Sequence, residues 1–214
     1  MEKDLSTYRK SYTRGNLSEE QVPDNPLELF QKWFYEVDEY FPEDEPNAFT
    51  LSTIGLDGFP KSRVVLLKKY NEEGFVFYTN YQSEKGKALA VNPNVCMSFF
   101  WAKMEQQIII KGIAEKTPDL ESENYFYSRP RGSRIGAIIS PQSEVIDSRS
   151  VLEHQLKEFE SKSEVELKRP LHWGGFLIRP QSIEFWQGRD NRLHDRIRYT
   201  LNDHFDWMIE RLAP

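Results

Sequence analysis

The chain has 214 residues, a formal charge of −6 and 38% hydrophobic residues, 14% of all residues being aromatic. That is enough apolar material for one domain with a real core, and the acidic balance argues against a general nucleic-acid binder. The N-terminus is polar, no apolar run approaches the length of a membrane span, and a single cysteine, Cys96, leaves no intrachain disulfide, so a soluble cytoplasmic protein is expected.

Residues 1–24 are polar and turn-rich, with Arg9, Lys10, Tyr12 and Arg14 close together, and read as a mobile arm before a single domain over 25–214. Asn25, Pro26 and Glu28 have the spacing of a helix N-cap, first turn and capping box. Phe30, Trp33, Phe34, Val37 and Phe41 follow as one apolar stripe, which is core packing. From residue 48 the period becomes that of strands: 48–53, a turn over 56–58, 61–70, a turn over 71–74, then 75–79. Ser83 caps a short helix that Asn92-Pro93 ends. Strands are expected at 95–101 and 107–116, then a helix from Thr117-Pro118 to about Ser128, a basic loop over 129–134 and a helical run over 135–139. Asp147 or Ser148 caps a further helix bearing Val151, Leu152, Leu156 and Phe159, followed by the charged tract 158–168. Strands at 173–179, 183–187, 192–201 and 205–212 complete the chain. About eight short strands with hairpin turns and a few helices predict an antiparallel barrel with helical insertions. No glycine fingerprint of a dinucleotide or P-loop site follows any strand.

Cations gather in several places on this acidic chain. Arg192, His194 and Arg196 would share one face of the expected strand 192–201, where they repel unless an anion sits among them. The competing reading is a solvated edge strand. Arg63 and Lys68 bracket an apolar run and, five residues apart, would lie on opposite faces of a regular strand, serving different ligands or leaving one in solvent. Tyr78, Thr79, Ser83 and Lys85 at a helix start would suit a phosphate, or form a plain capped helix. Tyr125, Arg129 and Ser133 recur every four residues and would converge if the helix continued, which Pro130 and Gly132 oppose. A phenol, a guanidinium and a hydroxyl together suit a phosphate monoester. The four histidines show no metal-ligand spacing, and no serine has a nucleophile-elbow setting. Two phosphate cradles suggest a phosphorylated cofactor and a phosphorylated substrate.

The segments Arg63-Val-Val-Leu-Leu-Lys68, Phe77-Tyr-Thr-Asn80, Ser128-Arg-Pro-Arg131, Gln142-Ser143, Phe185-Trp-Gln-Gly188, Arg192-Leu-His-Asp-Arg196 and Arg211-Leu-Ala-Pro214 occur in this order. Together they resemble the pyridoxamine 5′-phosphate oxidase family along nearly the whole chain. The resemblance implies an FMN-binding split β-barrel acting as a homodimer, with FMN between subunits. It also implies oxidation of pyridoxamine or pyridoxine 5′-phosphate to pyridoxal 5′-phosphate, with O₂ reduced to H₂O₂. By position, the FMN residues implied are Arg63, Val64, Val65, Leu66, Leu67, Lys68, Tyr78, Thr79, Lys85, Gln107, Gln142, Ser143, Trp186 and Arg196. The substrate phosphate would meet Lys68, Tyr125, Arg129 and Ser133. Arg192 and His194 would lie over the pyridine ring as the catalytic pair, beside Leu193, with Arg9 and Tyr12 closing above. No metal is implied.

One position departs from the family pattern. Glu84 stands where a second basic residue is common, so either Glu84 faces solvent or Lys87 compensates it. A non-catalytic barrel that stores flavin or pyridoxal phosphate is the alternative function, and a nicotinamide-dependent flavin reductase is a third.

Overall fold

A computed structural model describes residues 3–161 and 167–214. The charged tract 158–168 therefore lies partly outside the described residues. Among the described residues nine strands carry the architecture: β1 (Ala48–Ile54), β2 (Pro60–Leu66), β3 (Lys69–Asn71), β4 (Gly74–Asn80), β5 (Asn94–Trp101), β6 (Gln106–Lys116), β7 (Trp173–Gln187), β8 (Asp195–Leu201) and β9 (Trp207–Arg211). Their hydrogen-bonded order is β2-β1-β5-β6-β7-β4-β3, with β8 against β7 and β9 against β8. The helices are α1 (Pro26–Tyr40), α2 (Glu84–Val91), α3 (Asp119–Ser128), α4 (Arg131–Ile139) and α5 (Arg149–Ser161). Among the described residues no helix is long and apolar enough to cross a membrane.

Residues 173–187 form one strand rather than two. Phe75–Asn80 of β4 pair with one half of it and Asp195–Thr200 of β8 with the other. Pro180 falls between these two ladders, where a missing N–H costs neither of them a bond. The expected strand 192–201 begins only at Asp195. Before it, Asp190–Arg192 form a tight 3-10 turn in which Asn191 and Arg192 adopt left-handed φ of 56° and 61°. Arg192 and His194 consequently precede the strand, and the same-face argument does not apply to them.

The chain divides into two compact units, one of residues 1–50, 96–111 and 180–214, the other of 51–95 and 112–179. In the first, α1 starts where Asn25 accepts a hydrogen bond from the Leu27 N–H at 2.9 Å, and its stripe buries Phe30, Trp33 and Val37. Phe30 meets Phe99 with ring centroids 5.4 Å apart, and Trp33 meets Phe185 edge-on at 5.3 Å. Tyr199 is fully buried against Phe185, its hydroxyl donating to the Pro23 carbonyl at 2.7 Å. Ring pairs of this geometry add to the area they bury. In the second unit Phe77 stacks on Phe176, and Phe75, Phe126, Ile135 and Ile178 complete the core. The helix α5 buries no residue fully, although its apolar positions repeat at helical spacing.

Phe30→Ala, which empties a site with no exposure, is expected to cost about 3–5 kcal/mol in denaturant unfolding. Tyr35→Ala on the exposed side of α1 is expected to cost less than about 1 kcal/mol.

Candidate active site

The second unit holds a cavity of about 610 Å³ whose wall includes Arg63, Val64, Val65, Leu66, Lys68, Tyr78, Thr79, Lys85, Tyr125, Arg129, Ser133 and Gln142. Local chemistry explains how these arrive together. The alternation of β2 ends at Leu66, so Lys68 escapes strand parity and reaches the cavity that Arg63 lines, while its own N–H donates to the Val76 carbonyl at 2.9 Å. Both residues line one cavity, as do the intervening Val64, Val65 and Leu66, while Lys68 itself is exposed. Leu67 lies in the core at 4% exposure rather than on the wall. Ser83 Oγ caps α2 by accepting from the Gly86 N–H at 3.3 Å, which sets Lys85 in the first helical turn.

Tyr125, Arg129 and Ser133 do converge, across a break instead of along one helix. The helix α3 stops before Pro130 and α4 starts after it. Ser122, fully buried on α3, fixes the helix by sharing a 2.9 Å hydrogen bond with Thr117 and accepting from the Gly175 N–H at 3.0 Å. Sequence reasoning missed Asn80, Gly136, Ala137, Ser140 and Trp173 on the same wall. Trp173 is the most informative of these. Its ring lies parallel to Tyr78 (5.6 Å, 12°) and Tyr125 (6.2 Å, 10°), and the Arg129 guanidinium sits 4.6 Å from its centroid. The available signal was the Gly174-Gly175 pair after it, which marks a close approach to the strand.

The electrostatics of the wall are one-sided. Lys85 is 6% exposed, and its ammonium donates only to Thr79 Oγ1 (3.3 Å) and Ser83 Oγ (3.4 Å). Burial, reinforced by repulsion from Arg63, pushes its pKa down to about 8. Arg63 gives Nη1 to neutral oxygens, those of Thr53 Oγ1 (2.8 Å), Lys61 (2.9 Å) and Leu51 (3.3 Å), and burial lowers its pKa too. Arg129 is likewise lowered by burial, and its Nη1 is buried with no hydrogen-bond partner. Among the described residues no carboxylate pairs with any of these three. A buried ammonium beside two half-buried guanidiniums, none with a carboxylate partner, favours an anionic guest, and the donor set of ammonium, guanidinium and hydroxyls matches phosphoryl oxygens. Gln142 Oε1 accepts from Thr79 Oγ1 at 3.3 Å and the Asn80 N–H at 3.4 Å, which fixes its place on the wall.

A second cavity of about 350 Å³ is lined by Lys61, Ser62, Arg63, Glu84, Lys85 and Ser143. Ser143 takes a left-handed φ of 75°. Glu84 is exposed and ion-paired with Lys61, which also holds Asp57 at 3.0 Å. The cation that compensates Glu84 is therefore Lys61 on β2 and not Lys87.

In the first unit the rings of Trp186 and His194 lie 4.7 Å apart, and Tyr12 meets each at 5.7 Å. His194 Nδ1 accepts from the Arg189 N–H at 3.0 Å, so a neutral imidazole carries its proton on Nε2. Arg192 and Leu193 are exposed. A cavity of about 550 Å³ there is lined by Tyr12, Thr13, Gly15, Asn16, Arg189, Asp190, Asn191 and Leu193. Arg9 is exposed and donates to the Ser6 carbonyl at 3.3 Å, outside this cluster. Arg196 already has partners, with Nε to Glu184 at 2.8 Å and Nη1 to the Ala213 carbonyl at 2.8 Å. Gln107 donates to Ser98 Oγ at 3.1 Å.

Comparison with known proteins adds independent findings. The family model described as pyridoxamine 5′-phosphate oxidase matches residues 36–163, and that of the pyridoxine 5′-phosphate oxidase C-terminal dimerisation region matches 173–214. A protein named pyridoxine/pyridoxamine 5′-phosphate oxidase from Flavobacterium johnsoniae is 61% identical over 211 residues, spanning 98% of this chain and 99% of that protein. One of the same name from Flavobacterium psychrophilum is 59% identical, spanning 99% and 100%. Among solved structures, PhzG from Burkholderia lata 383, in complex with tetrahydrophenazine-1-carboxylic acid, is 29% identical with a TM-score of 0.85, covering 91% of this chain and 95% of that one. A pyridoxamine 5′-phosphate oxidase-related, FMN-binding protein from Nostoc punctiforme shares the fold at 16% identity and a TM-score of 0.70, covering 90% and 100%. The fold is the antiparallel split β-barrel with helical insertions expected from the sequence.

The unpaired ammonium gives a stability test. The pKa of Lys85 is about 8 in the fold against 10.5 unperturbed, so the unfolded chain binds more protons between these values and stability from this group rises with pH across that window. Lys85→Met is expected to stabilise the ligand-free protein at pH 7 by roughly 1–3 kcal/mol, with the gain vanishing as pH approaches 10.5. Denaturant midpoints at pH 7 and pH 10, compared with those of the parent, check it; no gain at pH 7 would mean the ammonium is not strained.

Proposed function

The chain belongs to the pyridoxamine 5′-phosphate oxidase family, and from that premise we propose that it oxidises pyridoxamine and pyridoxine 5′-phosphate to pyridoxal 5′-phosphate with FMN as cofactor and O₂ as final electron acceptor. It is an oxidoreductase and a flavoprotein. The observation that carries the reading is the cavity wall with buried Lys85 and half-buried Arg63 and Arg129, none of them paired with a carboxylate among the described residues. For the amine substrate, water and O₂ enter, and the aldehyde, ammonia and H₂O₂ leave. FMN, when bound, supplies the two-electron acceptor chemistry that no side chain provides.

The chain's own residues bind and orient. Arg63 and Lys85, with Thr79, Gln142 and Ser143, are assigned to the flavin phosphate and its neighbourhood, joined by Val64, Val65, Leu66, Lys68 and Tyr78, with Leu67 packing in the core behind them. Gln107, Trp186 and Arg196 are assigned to the flavin ring. Lys68, Tyr125, Arg129 and Ser133 are assigned to the substrate phosphate, leaving the unpartnered Arg129 Nη1 for a phosphoryl oxygen. Arg192, Leu193 and His194, with Arg9 and Tyr12, are assigned to the pyridine ring. A neutral His194 with Nδ1 engaged by Arg189 offers Nε2–H as a fixed donor, which is a positioning role. The C-terminal dimerisation region supports a homodimer, and we infer that FMN binds at the subunit interface. A cytoplasmic setting fits a chain with one cysteine. Relatives named for vitamin B6 substrates reach 61% identity, against 29% for the phenazine-bound protein, which favours the smaller phosphorylated substrate.

Purified protein is expected to be yellow and to convert pyridoxamine 5′-phosphate to aldehyde with release of peroxide. Tight ligand binding without turnover would instead indicate a storage protein. Arg192→Ala is expected to lower kcat/KM about 100-fold with bound flavin retained; loss of flavin absorbance would move Arg192 into the cofactor site. Arg63→Ala is expected to weaken FMN roughly 10- to 100-fold, and unchanged affinity would put the flavin phosphate elsewhere. FMN affinity is also expected to fall as pH rises through the Lys85 pKa of about 8, because the neutral amine no longer attracts the dianion.

A further inference from the structure

Glu105 is a buried carboxylate that the proposed chemistry leaves unused. It ends the turn between β5 and β6, is 3% exposed, and takes a left-handed φ of 58° that a glycine or asparagine would adopt more easily. A turn has no need of a buried charge. This one faces the N-terminal arm: Oε2 accepts from the Thr13 N–H at 2.8 Å and the Arg14 N–H at 3.0 Å, and Oε1 meets the Lys10 ammonium at 3.1 Å. Burial works to raise its pKa, but these hydrogen bonds prevail and the carboxyl is held below its ordinary value. The grip therefore falls on both sides of Tyr12.

The same residue also holds what lies beneath Tyr12. Its backbone carbonyl accepts from the Gly188 N–H at 2.8 Å and from Gln187 Nε2 at 3.2 Å. A Cβ on Gly188 would stand 2.8 Å from Tyr12 Cγ and 3.2 Å from Glu105 Cβ, so the ring of Tyr12 seats on bare backbone. From that seat it meets Trp186 and His194 edge-on. One residue thus bonds the arm with its side chain and the floor under the arm with its main chain.

We propose that Glu105 is a positioning residue for the oxidation, a charged latch that holds residues 10–14 so that Tyr12 packs on His194 and closes the substrate side of the site. The proposal rests on the assignment of His194 and Tyr12 to the substrate ring. Without the latch the arm's free energy of seating falls, and the substrate binds to a form that is closed for less of the time.

The test uses the full-length holoenzyme and three variants. Glu105→Gln, isosteric and neutral, is expected to raise KM for pyridoxamine 5′-phosphate about tenfold while leaving kcat and flavin content within about twofold. If Glu105 acts through Tyr12, the double variant with Tyr12→Ala is no worse in KM than Tyr12→Ala alone, whereas independent effects would multiply. Trypsin cleavage after Lys10 and Arg14 is expected to accelerate about tenfold in Glu105→Gln, because cleavage follows the open population. Lys10→Ala removes one grip at an exposed position together with the tryptic site after residue 10, so its readout is cleavage after Arg14 alone, which is expected to accelerate by a smaller factor. Unchanged KM and protection in Glu105→Gln, or multiplicative effects in the double variant, would overturn the latch. Should Glu105→Gln fail to fold, a parental rate of cleavage after Arg14 in Lys10→Ala would do so. Absence of turnover in the parent would refute the proposed reaction, while the trypsin comparison would still decide the latch.

Discussion

An ammonium held out of water with two hydroxyls for company is the constraint around which the second unit is arranged. Lys85 is held between Ser83, which caps the helix that carries it, and Thr79 on the preceding strand β4. Arg63 and Arg129, half-buried, share the predicament in part: the Arg63 hydrogen bonds go to neutral oxygens, and one Arg129 nitrogen is buried with no partner. A fold selected for stability alone would have given such groups carboxylates or replaced them by apolar residues. The chain does otherwise while placing carboxylates freely elsewhere, as the ion pairs of Arg211 with Glu19 and Asp195 show. The wall is therefore incomplete by itself, and the proposed phosphorylated guests are what complete it.

The Glu84 position shows how such a wall tolerates an anion at its margin. Glu84 sits within electrostatic reach of both Arg63 and Lys85 and favours their charged forms. Its hydrogen-bonded partner is nevertheless Lys61, two residues before Arg63 on the same strand. Lys61 is shared between Glu84 and Asp57, so it offsets the Glu84 charge and does not replace the cation a basic residue at 84 would have supplied. Arg196 is the opposite case, a cation assigned to the flavin ring yet engaged by Glu184 and the Ala213 carbonyl, so any charge it lends a ligand is already shared.

What was legible in the sequence was what local chemistry determines. Asn25-Pro26 and Ser83 start their helices, and Asn92 ends one, because caps and proline geometry act within a few residues. Errors arose where a rule was extended past the element that justifies it. The alternation that joined Arg192 to Arg196 begins only at Asp195, so it does not reach Arg192 or His194. Tyr125, Arg129 and Ser133 meet because two helices flank Pro130, an angle no periodicity encodes. Glu105 carried no signal at all, since its partners are backbone N–H groups some 90 positions away, at Thr13 and Arg14.

The aromatic stack on the cavity wall has an optical consequence. Of the chain's five tryptophans, Trp173 is the one lining this cavity, lying parallel to Tyr78 and Tyr125 with a guanidinium over its face. Its excited state is thus surrounded by polarisable and charged groups whose arrangement any occupant would alter. An isoalloxazine absorbs where indole emits, so its arrival would dim this fluorophore by energy transfer. The protein carries its own luminescent gauge of occupancy, in the very ring that helps hold Arg129 in place.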